Sequence, residues 1–341
     1  MIPTLLGITL LVFVSIRLAP GDPAAVAIGT GSGEMTGDSD FEALVAKFRK
    51  EHLLDQPLWK QYLHFLGPFN LGEDGHPWFG GDGRDSWRGV LVLDMGVEFT
   101  DKNTHVVAEM GRRLLVTVPL SLAAVLLSYL IAVPLGILTA VRQGSRTEAG
   151  VTVILFVLYS IPTFWAGLML ILIFGAAGFD FLPVLGLHDK DADQLGTLGY
   201  AWDTVLHCIL PVATLTYGSL AYLSRQMRVG MIDVIRQDYI RTARAKGLSE
   251  RVVVLKHALR NSLIPILTLF ASILPILIGG SIIVEKVFDI PGMGKYAFEG
   301  LLRRDYNIVM ATSTFSAVMT LFGILLSDIA YALVDPRIKY D

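Results

Sequence analysis

Residues 114–141 read LLVTVPLSLAAVLLSYLIAVPLGILTAV, a stretch of 28 positions with no charged side chain. A helix needs roughly 20 apolar residues to cross the hydrocarbon core of a bilayer, so this segment is long enough to span with some tilt. Working outward, residues 149–179, 262–284 and 308–327 are equally free of charge, and Ile2–Ile16 and Thr204–Ser224 are weaker candidates, the latter interrupted only by His207. In lipid each unpaired backbone group costs several kcal/mol, so spans of this kind must be helical. The expected fold is all-α and polytopic, with six transmembrane helices at 1–19, 114–141, 149–179, 204–226, 262–284 and 308–333. Between them lie an insertion at 20–113, loops at 142–148, 180–203, 227–261 and 285–307, and a tail at 334–341. The membrane core is expected to occupy 114–333.

The net charge of −3 hides a segregation along the chain. From Arg225 to Arg260 there are nine basic residues against three acidic ones, and Arg142, Arg146, Arg337 and Lys339 lie on the same side of the alternating spans. The loop 180–203 has only Lys190. The positive-inside rule therefore predicts both termini in the cytoplasm and an extracytoplasmic insertion. Lys286, Lys295, Arg303 and Arg304 run against that bias, but the alternation of spans fixes the topology. Cys208 is the only cysteine and lies within the fourth span, so the insertion is expected to hold together without disulfides. A cleaved signal peptide over Met1–Ala19 is disfavoured, because no basic residue precedes the apolar run and that run is long for a signal sequence. A start codon assigned too far downstream is a separate expectation.

The insertion should be partly helical and partly irregular. Gly29–Asp40 is rich in Gly, Ser and Asp and reads as flexible. Phe41, Leu44, Val45 and Phe48 recur at helical spacing, and Pro57 suits the first turn of a helix that places Leu58, Tyr62, Phe65 and Leu66 on one face. Asn70–Arg88 reads as irregular, and Trp78 and Trp87 fit an interfacial anchor or packing within a small cap equally well. Fourteen acids against seven bases in 20–105 suit a solvated surface better than a basic partner. Pro119, Pro134, Pro162, Pro211, Pro265, Pro275 and the pair Gly279–Gly280 fall within spans, where such residues mark bends once neighbouring groups re-satisfy the backbone.

Several chemistries are absent from the sequence. There is no G-x-x-x-x-G-K-[ST] phosphate cradle, since the only Gly-Lys pair, Gly294–Lys295, is followed by Tyr296. No metal motif, nucleophile–base set or carboxylate pair points to an intramembrane enzyme. The spans hold almost no ionisable groups, which argues against a stand-alone secondary transporter or channel. His207, near one end of its span, is expected to be structural and interfacial, and Asp328 to cap or pair.

The stretch 238–261, DYIRTARAKGLSERVVVLKHALRN, is a charged helix–Gly–helix between two spans. Gly247 permits the left-handed turn that ends a helix, and Ser249 can cap the next. Small residues let another protein approach the backbone, and the cations can pair with its acids; a basic loop that only fixes orientation or touches anionic lipid is the plainer alternative.

The segment Arg241-Thr-Ala-x-x-x-Gly247 resembles the EAA motif of bacterial ABC-importer permeases, with Arg241 where that motif has an acid and Leu259-Arg260 where it has Leu-Pro. Tyr239–Glu250 with His257–Asn261 is similar to the B-type permease of oligopeptide and dipeptide importers. So are Leu18–Ala24, Leu54–Tyr62, Pro291–Gly294 with Arg304–Tyr306, and Ser327–Ile338, the last especially to the permease of microcin-type importers. The resemblance implies the type I ABC-importer permease fold in a bacterial inner membrane. It also implies a homologous second permease, two cytoplasmic ATPase subunits that use ATP and Mg²⁺, and an extracytoplasmic substrate-binding protein. On this basis the partners include the bilayer but no nucleic acid, and the chain binds no cofactor. The residues expected to couple to the ATPases are Tyr239, Arg241, Thr242, Ala243, Ala245, Lys246 and Gly247. Peptides are the implied substrate, with nickel, opines or oligosaccharides as the alternatives within the same class.

Overall fold

The computed structural model describes residues 2–31, 38–67, 89–175, 178–263, 277 and 279–334. Trp78, Trp87 and most of the expected fifth span lie outside the described residues, as does the side chain of Asp328. The described residues are helical apart from turns, short 3-10 segments and isolated bridges, and they divide into two units. One unit comprises 1–116 and 292–321, the other 117–291 and 322–341.

Among the described residues three helices are long and apolar enough to cross a membrane, within Val106–Val141, Ala192–Ile235 and Tyr306–Leu326, and two bent pairs pass the same test jointly. The first pair is Ile2–Leu18 with Pro23–Gly29, bent by 68°. The second is Arg146–Ser160 with Thr163–Phe174, bent by 95°. The sequence 149–179 reads as one apolar run, yet Ile161 precedes Pro162 and takes an extended backbone, as residues before proline prefer. The carbonyl of Ile161 then accepts the Tyr217 hydroxyl at 3.1 Å, a side-chain substitute for the lost helical bond.

In the first unit the described part of the insertion packs through helices. Asp38–Glu51 and Leu58–Leu66 form as their spacing predicts, and Phe48 and Phe65 join Phe13, Ile16, Phe99, Val106, Tyr296 and Tyr306 in one apolar core. Pro57 precedes the second of these helices as its cap residue. Of the stretch 29–40 expected to be flexible, residues 29–31 end the helix Pro23–Gly31, residues 38–40 begin Asp38–Glu51, and 32–37 lie outside the described residues. Asp22 starts the helix Pro23–Gly31, accepting the Ala24 N–H at 3.1 Å and pairing with Arg49 at 2.8 Å. Gly21 has φ +113, and the Arg304 guanidinium fills the space a β-carbon would need.

Asp305, fully buried, ties this unit together. Its carboxylate accepts the N–H groups of Asn307 and Ile308 at 3.1 and 3.2 Å, capping the helix that begins at Tyr306, and the Phe99 N–H at 2.6 Å. Alongside, Asn307 Nδ2 donates to the Val97 carbonyl at 2.9 Å and the Tyr296 hydroxyl to Glu98 at 2.9 Å.

In the second unit the helices Val106–Val141 and Gly196–Ile235 approach closely through small and hydroxylated residues, the usual means of association where apolar burial drives little. A β-carbon on Gly136 would lie 2.6 Å from Met227 Cβ and from the Ser224 carbonyl oxygen. Nearby, Ser219 donates to Ser128 at 2.8 Å and Thr216 to the Ala124 carbonyl at 3.3 Å. Ser145 and Glu148 form a reciprocal cap: Ser145 accepts the Glu148 N–H at 3.2 Å and Glu148 accepts the Gly144 N–H at 2.6 Å. The other oxygen of Glu148 pairs with Arg228.

Two outcomes follow for stability. Gly136→Leu should lower the melting temperature of the solubilised protein, at a cost of about 1–3 kcal/mol for overpacking. Gly150→Ala, with no neighbour within 4 Å, should leave it unchanged or slightly raised; equal behaviour of the two variants would contradict the close helix approach. Burial pushes the Asp305 carboxyl from 3.8 up to about 6, against the pull of its three N–H donors. A carboxyl whose folded pKa is raised stabilises most below its unfolded pKa, and that contribution is lost as pH rises through the folded value. Thermal unfolding should therefore show stability falling between about pH 4 and 6 in the native chain, with a flatter profile in Asp305→Asn.

Candidate coupling site

The helix Gly196–Ile235 runs on past the apolar segment without a break, and after Arg236 and Gln237 a second helix occupies Asp238–Ala245. Its register decides what each predicted residue does. Ile240 and Ala243, three apart, are buried. Tyr239, Arg241, Thr242, Ala245, Lys246 and Gly247 are exposed, as is Arg244. Of the seven residues expected to couple to a partner, six therefore lie on the open side of the hairpin. Ala243 instead faces inward, where it and Ile240 pack with Met227, Met231, Val253, Val254 and Ala258. A small residue at 243 lets the helix seat on its own protein, a role that sequence alone did not separate from approach by a partner.

The helix ends as its glycine requires. Gly247 has φ +76, its N–H reaches the Arg244 carbonyl at 2.9 Å, and the Leu248 N–H reaches the Ala243 carbonyl at 3.4 Å. These are the paired bonds of a Schellman turn. No atom lies within 4 Å of where a β-carbon would sit on Gly247, so the constraint there is backbone conformation and not space. Ser249 occupies the cap position of the following helix, but its side chain makes no capping bond, and its carbonyl takes the N–H groups of Val252 and Val253 instead.

The return helix, residues 250–262, contains a π-helical stretch at Val253–Ala258. Wider turns of this kind shift the register of the residues that follow, and here Val253, Val254 and Ala258 all remain buried. Two contacts clasp the hairpin. Arg244 donates twice to Glu250 across the Gly247 turn, at 3.1 and 2.6 Å, and Asn261 Nδ2 donates to the Tyr239 hydroxyl at 2.7 Å. The Arg244 bonds hold the Glu250 carboxyl below its usual range. Both partners are well exposed, so the ion pair contributes at most about 1 kcal/mol and mainly sets the hairpin's shape. Arg241, Lys246, Arg251, Lys256 and Arg260 are exposed around this surface, and Arg241 has a close acidic partner, Asp238 at 3.3 Å. The arrangement offers chemistry for docking, with cations and small side chains outside and an apolar key inside.

A family model described as "Binding-protein-dependent transport system inner membrane component" matches residues 132–340. Over nearly its whole length the chain is 37% identical to an oligopeptide transport system permease protein of Bacillus subtilis, covering 99% of this chain and 96% of that protein. It is 36% identical to a di/tripeptide transport system permease protein of Pseudomonas aeruginosa, covering 100% and 96%. It is 33% identical to a dipeptide transport system permease protein of Escherichia coli, covering 99% and 96%. Helices long enough to span, a match over most of the chain and full-length similarity agree: the chain belongs to the family of inner-membrane components of binding-protein-dependent transport systems.

Proposed function

We propose that this chain is the permease subunit of a peptide importer, forming half of a translocation pathway that separate ATPase subunits drive. Peptide transport is what the names of full-length relatives carry, and the observation that bears most on mechanism is the keyed helix Asp238–Ala245. Its open face holds Tyr239, Arg241, Thr242, Ala245 and Lys246, while Ile240 and Ala243 fix it to the end of the helix Gly196–Ile235. A force applied to that face would pass through the packed side chains of Ile240 and Ala243 into a helix 40 residues long.

In this reading the chain has six spans with both termini in the cytoplasm, and it pairs with a second permease of related sequence. Two cytoplasmic ATPases bind ATP and Mg²⁺ and grip one such helix on each permease, and an extracytoplasmic binding protein delivers the peptide. Closure of the ATPases on nucleotide pulls the helices together, tilts the spans and exposes the cavity to alternate sides. The chain contributes no catalytic group. The absence of a phosphate cradle, and the scarcity of ionisable groups in the apolar segments, support energy supplied from outside this polypeptide.

Ala245→Trp places a bulky ring on the open face without touching the core, and surface changes of this kind usually move stability by less than about 0.5 kcal/mol. ATP-driven peptide uptake by the reconstituted complex should fall at least about tenfold, a change of ~1.4 kcal/mol, while membrane insertion and melting temperature hold. Gly247→Trp should act similarly, with an added cost of about 1–2 kcal/mol for a side chain at positive φ. Normal uptake and normal substrate-stimulated ATP hydrolysis in both variants would refute the coupling role. Uptake by the chain without any ATPase would favour a stand-alone carrier.

A further inference from the structure

At the opposite end of the helix Gly196–Ile235 from the coupling helix, Asp189, Asp203 and His207 bring three ligand atoms within 4.8 Å of one another. We propose that these residues form a binding site for a divalent transition-metal ion of the zinc class, joining the loop 180–195 to the start of that helix.

Four observations carry the proposal. First, Asp203 and His207 stand four apart on one helix, so both side chains project from the same face. Both are also buried, with 8% and 2% of their side chains exposed. Second, His207 Nδ1 lies 2.9 Å from the Asp203 backbone oxygen. A carbonyl only accepts, so Nδ1 carries the proton and Nε2 presents its lone pair. Metal-bound histidines are oriented in this way by a carbonyl behind the ring. Third, Nε2 faces Asp189 Oδ1 at 3.7 Å, longer than a hydrogen bond and close to the separation of two ligands on one tetrahedral ion with bonds of about 2.0–2.2 Å.

Fourth, a second layer fixes the carboxylates and the loop. Asp203 Oδ2 accepts the Asp189 N–H at 3.1 Å and lies 3.5 Å from His188 Nδ1. His188 is itself held by the Tyr200 hydroxyl at 2.7 Å and by Thr204 Oγ1 at 3.2 Å. The Thr204 hydroxyl spends its proton on the Tyr200 carbonyl at 2.9 Å, so it accepts from His188 Nδ1. Two carboxylates and one imidazole, with no thiolate, suit Zn²⁺, Co²⁺, Ni²⁺ or Mn²⁺ better than Cu(I), and leave at least one position for water. Because Asp189 comes from the loop and the other two ligands from the helix, a bound ion would cross-link them.

The test uses the full chain in its assembled complex, stripped with chelator and titrated with Co²⁺ alone and then with Zn²⁺. The expected result is one Co²⁺ per chain, with visible d–d absorption that Zn²⁺ abolishes. Asp189→Asn should weaken Co²⁺ at least about tenfold, and His207→Gln should remove the bands. The Asp189 side chain is 73% exposed, so its variant keeps the test decisive even where His207→Gln fails to fold. No Co²⁺ bound at one per chain, or binding unchanged in Asp189→Asn, overturns the proposal.

Discussion

Ile240 has no exposed surface, and the inner face of the hairpin is organised around it. A helix of eight residues, about two turns, is too short to persist alone in water. It forms here because Ile240 and Ala243 insert among Met227, Met231, Val253, Val254 and Ala258, which come from the helices before and after it. Burying an isoleucine contributes roughly 1.5–3 kcal/mol. That contact seats the basic surface on the end of the helix Gly196–Ile235. In the proposed coupling role, this packing is what would let a pull on the basic surface reach the helix Gly196–Ile235.

The first unit answers a different problem, the placement of a long polar segment between apolar ones. Phe48, Phe65 and Phe99 of the insertion build a core with Phe13 of the first helix, and two buried carboxylates beside it are met by donors. Asp305 accepts three backbone N–H groups, and Glu98 accepts the Tyr296 hydroxyl. Gly21 and Arg304 form a similar complement, with a glycine at positive φ making room for the guanidinium.

Much of this was legible in the sequence. Charge-free runs located the long helices within Val106–Val141 and Tyr306–Val334, the heptad-like spacing in 41–48 located a helix of the insertion, and Gly247 located a left-handed turn. Three features were not legible, each for a reason of packing. The span 149–179 is uniform in hydropathy, and although Pro162 marks a bend, nothing in the sequence gives its size of 95°. Ala243 looks like Ala245 in a motif; helical phase against Ile240 separates an inward residue from an outward one. His207 reads as a lone histidine because Asp189, its neighbour at 3.7 Å, lies far away in the chain. The i, i+4 pair Asp203–His207 was the available signal, and it carries weight only once the loop is folded over it.

The most direct measurement is photo-cross-linking from a benzophenone side chain placed at Ala245 in the assembled transporter within its native membrane. The account predicts adducts with the nucleotide-binding subunit, whose yield changes when ATP is bound and hydrolysis is blocked. Adducts only with lipid, at unchanged yield with and without nucleotide, would contradict it.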